Sequence, residues 1–248
     1  MKLFRHEVRT QQLLFWRNRE SAVFVFIFPP MLFLLLGAVY DRRINGFPAA
    51  DVLLVGMLGY GCINTAFAGL AITLVIRRES GVLKRVRATP LPPTTYLAAV
   101  LCSTLFVFVL QLLLTMALGV VLYGARGPQD WVGLGLAVLL GVAAFAGLGF
   151  GAAALIRSAE GSSAVVQLIV LPMAFLSGAF GPTRSYPAFL KAIADVLPLT
   201  YFIRILENVY LRGESFWSDF GAILAVLAWG LAGLLVAWRR FGWEPRER

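Results

Sequence analysis

The side chains able to do covalent or acid–base chemistry are few. The chain has one histidine, His6, two cysteines, Cys62 and Cys102, and three lysines, Lys2, Lys84 and Lys191. No lysine sits in a Gly-x-x-x-x-Gly-Lys-[Ser/Thr] run, so no phosphate-cradling loop of that kind is present. The cysteines have neither CxxC nor zinc spacing, and no His/Glu cluster has the spacing of metal ligands. Cys62 and Cys102 lie in apolar runs and read as small core residues, and His6 as a solvated helix residue. Ser21 and Thr65 have no basic partner nearby. We expect no catalytic constellation, no metal and no cofactor on this chain. Three polar groups remain. The first is 77–95, RRESGVLKRVRATPLPPTT, with Glu79, Gly81, Leu83, Lys84, Arg85 and Arg87. The second is Arg157 and Glu160 in RSAEG, and the third is the amides Gln111 and Gln167. Such groups can dock a protein partner, bond across helices or touch a permeant, but they cannot break a bond.

The elements that must carry them follow from composition. Of 248 residues 59% are hydrophobic and 14% charged, against about 45–50% and about 25% in a soluble domain. Six segments, 21–40, 52–76, 96–123, 131–156, 162–180 and 220–238, hold no Asp, Glu, Lys, Arg or His. Each reaches about the 20 residues a bilayer crossing requires. Lipid leaves no partner for an open backbone, so each is predicted helical. The fold class is an all-α polytopic membrane protein. Pro29 and Pro30 are expected to kink the first span and Pro172 the fifth. The basic lead before the first span has no A-x-A cleavage site after it and is not read as a signal peptide.

Charge sets the orientation. With the N-terminus in the cytoplasm, 1–20, 77–95, 157–161 and 239–248 hold 15 of the 22 Lys and Arg residues. That is the positive-inside bias, and it places both termini inside a bacterial cytoplasmic membrane. The net charge of +9 is thereby assigned to topology and anionic lipid, not to nucleic acid.

Outside the spans, 1–20 reads as an interfacial helix, with Phe4, Val8, Gln11 and Phe15 on one face and Arg5 and Arg9 on the other. In 77–95 a short charged helix is predicted over Arg78–Arg87, with Leu83 and Val86 on one side, stopped by Pro90, Pro92 and Pro93. Residues 181–219 are too short to cross in either part and split at Pro198 into two amphipathic pieces, 186–197 and 199–211. Lys191 and Asp195 are spaced to pair, and Arg204 lies near Glu207 and Asn208. Gly147 and Gly151 form a G-x-x-x-G on the fourth span, extended by Gly133, Ala137 and Gly141. The six spans carry no charge, so an ion-coupled carrier lacks its coupling residue. Energy for uphill transport would have to arrive from outside the bilayer.

Three local patterns resemble the ABC type-2 exporter permeases over nearly the whole chain. They are RNRESAVFVFIFPPMLFLLLG (17–37), RRESGVLKRVRATPLPPTTYLAAV (77–100) with Glu79, Gly81 and Leu83, and FLSGAFGPTRSYPAFLKAIADVLPLTYFIRIL (175–206). The last is the most specific. The resemblance implies one transmembrane domain over 1–248: an interfacial helix at 1–20, spans 1–5 in 21–180, an outer half-helix pair at 181–219, and span 6 with a basic tail at 220–248. It also implies a separate cytosolic ATP-binding subunit as partner, with ATP bound there, and a second permease copy or a sister permease. Glu79, Gly81, Leu83, Lys84, Arg85 and Arg87 would form the segment seated on the ATPase, with Arg157 and Glu160 in a second cytoplasmic turn. Pro198, Thr200, Tyr201, Arg204 and Glu207 would belong to the outer gate, and Gln111 and Gln167 to a polar path. The implied cargo is a hydrophobic or amphipathic drug, antibiotic or lipid. A lipid-linked glycan exporter of the same family and a non-transporting membrane scaffold are the alternatives.

Overall fold

A computed structural model describes residues 2–40, 43–44, 46–184 and 186–244. Among these the only extended pairing is an isolated bridge between Ile44 and Phe47; the rest is helix and connection. Helix α1 (Lys2–Arg17) is followed by α2 (Arg19–Val39), whose start is capped by the Asn18 side chain accepting from the Ser21 N–H. The second crossing element, Ala49–Glu79, consists of α3 (Ala49–Cys62), a π-helical stretch Ile63–Gly69, and α4 (Leu70–Glu79). Then come α5 (Val82–Arg87), α6 (Pro93–Tyr123), α7 (Trp131–Leu155) and α8 (Ala159–Leu176). The chain finishes with α9 (Ala188–Ala194), α10 (Pro198–Glu207) continuing as a π turn Asn208–Arg212, and α11 (Phe220–Arg240).

Six helices among the described residues are long and apolar enough to cross a membrane, one for each of the six apolar segments. Their boundaries are set by capping chemistry. Asp130 accepts from the N–H groups of Val132 and Gly133 to start α7, Ser158 from Gly161 to start α8, and Asp219 from Ala222 to start α11. Pro93 and Pro198 occupy first-turn positions of α6 and α10, where a missing N–H costs nothing. Gly124, at φ +61°, ends α6 in the left-handed region. The RSAEG segment is therefore less of a turn than expected, because Glu160 already lies in the first turn of α8. Pro29, Pro30 and Pro172 sit inside α2 and α8, and both helices run through them.

The spans are not equivalent. The second and fourth are 78% and 67% buried, against 22–39% for the others, so they form the centre and the rest enclose it. At 1.5 Å per residue the 31-residue second span is about 46 Å long, well beyond a hydrocarbon core of about 30 Å. Its end, carrying Arg77, Arg78 and Glu79, therefore projects past the apolar layer.

The G-x-x-x-G stripe is consumed within the chain. A Cβ on Gly147 would meet the Gly230 carbonyl oxygen at 2.5 Å, and one on Gly151 the Gly233 oxygen at 2.7 Å. Helices α7 and α11 thus touch backbone to backbone. Gly141 makes room for the Phe202 ring. Three expectations are corrected. Cys62 is buried but Cys102 faces outward from α6. The first amphipathic piece is helical only over Ala188–Ala194. Among the described residues the ion pairs are Arg78–Glu79 and Arg204–Asp219, and Lys191–Asp195 is not among them; Arg204 pairs with Asp219 while lying close enough to Glu207 to act on its charge.

Candidate functional site

At the foot of the second span two adjacent arginines do different work. Arg78 is fully buried. Its Nη1 donates to the Ala153 carbonyl at 2.8 Å, its Nη2 to the Ile156 carbonyl at 2.7 Å, and its Nε to Glu79 Oε1 at 2.8 Å. Ile156 ends α7, and the last carbonyls of a helix have no partner of their own. A buried guanidinium here satisfies two of them and meets the negative end of the helix dipole, while Glu79 balances its charge. Spans two and four are thereby locked at this end.

Arg77 points the other way. Its Nη1 donates to Gln11 Oε1 at 2.6 Å and to the Tyr96 hydroxyl at 2.9 Å. Gln11 passes the bond on to Glu7, and Gln12 donates to the carbonyl and hydroxyl of Ser103. Helix α1 is strapped by these bonds to α4 and α6.

Gly81 turns the chain at φ +72° between α4 and α5, a conformation that disfavours any residue with a Cβ. Leu83 is fully buried and anchors α5, while Lys84, Arg85 and Arg87 are exposed. The result is a rigidly mounted short helix presenting three cations. Arg157 on the α7–α8 connection and Glu160 in the first turn of α8 are also exposed, and α8 packs on α4. Of the sequence-proposed coupling residues, Lys84, Arg85 and Arg87 reach the surface, while Gly81 makes the turn, Leu83 is buried and Glu79 pairs with Arg78.

Between α1, α2, the π-helical stretch, α4, α6 and α8 lies a cavity of about 680 Å³. Phe15, Phe24, Val25, Val100 and Val107 contribute its apolar wall. Asn64, Thr65, Ser103, Ser163 and Gln167 contribute hydrogen-bonding groups, and Arg77 lies at its α5-side end. Gln111 is not on this wall. It is fully buried behind Thr65, whose hydroxyl donates to Gln111 Oε1 at 3.1 Å. Its Nε2 presses on Gly61, where a Cβ would stand 2.1 Å away, and has no hydrogen-bond partner. Gln167 thus faces the cavity, while Gln111 joins two helices.

At the opposite end, α9 and α10 are bolted together. The Thr200 hydroxyl donates to the Ala194 carbonyl, and the Tyr201 hydroxyl to the Asp195 carbonyl. Trp229 of α11 donates to the Val196 carbonyl, and Arg204 lies over the Tyr201 ring while pairing with Asp219 at 3.6 Å. Pro198 is buried at the junction. Burial pushes the Glu207 carboxyl above its ordinary pKa, although Arg212 and Arg204 pull it back in part. Asp51, buried in the first turn of α3, accepts from the Arg126 N–H, and the Arg126 carbonyl accepts from Tyr210. Burial, helped by the Asp51 charge, raises the Tyr210 phenol.

Sequence reasoning missed Arg77, Arg78, Asp51, Asn64 and the cavity itself. Arg77 and Arg78 looked like two more topogenic charges after an apolar run. Nothing local tells which arginine turns inward, because the partners that separate them, Gln11 for Arg77 and the Ala153 and Ile156 carbonyls for Arg78, lie 66 to 78 residues away in sequence.

The family model described as "ABC-2 type transporter" matches residues 2–211. Among curated proteins, the putative transport permease YvfS of Bacillus subtilis is 23% identical over 89% of this chain and 89% of its own length. The inner membrane transport permease YhhJ of Escherichia coli is 29% identical over 68% of this chain and 45% of its own. The daunorubicin resistance ABC transporter permease protein DrrB1 of Streptomyces coeruleorubidus is 27% identical over 66% and 58%.

Proposed function

Because the chain belongs to the ABC-2 type transporter family, as a multi-pass membrane permease, we propose that it forms the substrate path of an ATP-driven exporter. A separate cytosolic ATPase subunit binds and hydrolyses the ATP, and the permease works with a second copy or a sister chain. The α5 end faces the cytoplasm, as the distribution of basic residues favours. The observation that carries the reading is the mounting of α5. Three exposed cations stand on a helix fixed by Leu83 and by the Arg78 clamp to the two central spans. A push on α5 therefore reaches α4 and α7 without loss in a flexible loop.

The cargo is an amphipathic compound, held in the cavity whose wall is mainly apolar with a few hydrogen-bonding groups. The relative named for daunorubicin resistance supports that class. The chain itself supplies no catalytic group and no cofactor.

The test is a pull-down of the tagged chain from its native membrane in mild detergent, with ATP hydrolysis measured on the eluate. A stoichiometric ATPase subunit is expected. With Lys84, Arg85 and Arg87 all changed to Glu, membrane insertion should persist while the subunit or its stimulation by substrate is lost. Normal stimulated hydrolysis in that variant would overturn the coupling assignment.

A further inference from the structure

The cavity contains one feature that a purely apolar drug site would not need. Arg77 lines its α5-side end half-buried, and its two hydrogen bonds go to neutral oxygens, those of Gln11 and Tyr96. Neither ion pair found among the described residues involves it. Glu7 is reached only through Gln11. The carboxylate on the lining, Glu20, is exposed at the start of α2 beside Arg19, where water screens it. A half-buried cation acts through a lower effective dielectric than an exposed carboxylate, so the Arg77 charge dominates inside. Arg5, Arg9, Arg17 and Arg19 on and beside α1 add a positive field around the same end.

We propose that this cavity is a binding site for an amphiphile with an anionic head, its phosphate or carboxylate at Arg77 and its tail against Phe24, Val25 and Val107. This deepens the reading of the cavity given above by naming the charge of the cargo. Arg77 then links occupancy to α1, since the same guanidinium holds Gln11. An anionic oxygen is a stronger acceptor than the Gln11 amide and competes for that bond. Binding therefore loosens the strap between α1 and α4.

The experiment uses the purified full chain in neutral detergent without any ATPase subunit. The probes are a dansyl-labelled long-chain fatty acid and its methyl ester, read by fluorescence enhancement. The acid is expected to bind at least about fivefold more tightly than the ester. Arg77→Gln should abolish that preference and leave ester binding unchanged. Ser163→Trp, a bulky change at a lining position of α8 that takes no part in the Arg77 hydrogen bonds, should weaken both probes. Equal binding of acid and ester to the unaltered chain, or an acid preference that survives Arg77→Gln, would overturn the proposal. So would full binding of both probes by Ser163→Trp. If the acid binds as expected but no ATPase subunit copurifies with the chain, the coupling reading fails and the site stands.

Discussion

The Arg78 guanidinium donates to the carbonyl of Ile156 at 2.7 Å, joining the last turn of the second span to the end of the fourth. The bond runs from a fully buried charge to a backbone group that the helix cannot satisfy. The clamp is local, but among the described residues it sits between the two spans that are mostly buried.

Removing that guanidinium strands two carbonyls and Glu79. Arg78→Met is expected to lower the unfolding free energy by about 2–4 kcal/mol, at the cost of unpaired buried polar groups. Arg78→Lys keeps the charge but loses the fork, and should recover only part of it. Thermal unfolding in detergent reads both. A stable Arg78→Met would show that the clamp contributes little.

Backbone contact between α7 and α11 makes a sharp contrast among glycines. Gly233→Ala would place a Cβ 2.5 Å from the Gly147 oxygen and 2.6 Å from Leu148 Cα, so the helices must part. A loss of about 1–3 kcal/mol is expected from overpacking. Gly135→Ala meets nothing within 4 Å and should raise stability by up to about 1 kcal/mol through helix propensity. Equal melting shifts for the two would contradict the packing described.

Gln111 is a joint with an unmatched donor. Gln111→Leu removes the unpaired Nε2 along with the Thr65 bond, and Thr65 can turn its hydroxyl to the helix backbone. Stability is expected to stay within about 1 kcal/mol, with transport unchanged. Gln167→Leu alters the cavity wall and should change the substrate concentration needed for half-maximal transport. If the two variants exchanged these phenotypes, the path would run behind Thr65 instead.

Glu207 makes stability depend on pH. Burial raises its folded pKa, so above the ordinary carboxylate value the unfolded chain releases a proton that the folded chain keeps. Its contribution is fully present below the ordinary value and is lost as pH rises through the raised one. Glu207→Gln should therefore melt increasingly above the unaltered chain as pH rises from the ordinary carboxylate value of about 4 through the raised one. Parallel melting curves across that range would refute the assignment.

Six uncharged apolar runs in lipid admit only helices, so the number of spans and the membrane class were legible from composition. The end of the charged helix was legible too, because the prolines after Arg87 stop it locally; its start was not, since the helix read from Arg78 runs through Gly81, where the chain turns at φ +72° so that Arg78 and Glu79 finish α4 and α5 begins at Val82. Local signals failed wherever a side chain's role depended on a distant partner. Adjacent arginines read alike in sequence, yet Arg78 turns into the core toward α7 and Arg77 toward α1. Two glutamines inside spans also read alike, yet one is a joint and the other a cavity wall. The glycine stripe marked a close approach without naming its partner, which proved to be α11 of the same chain. Hydrophobicity and backbone satisfaction are properties of a segment, so sequence alone determines which segments cross. Which face of a helix turns inward depends on contacts among segments far apart in the chain, and those only the tertiary structure decides.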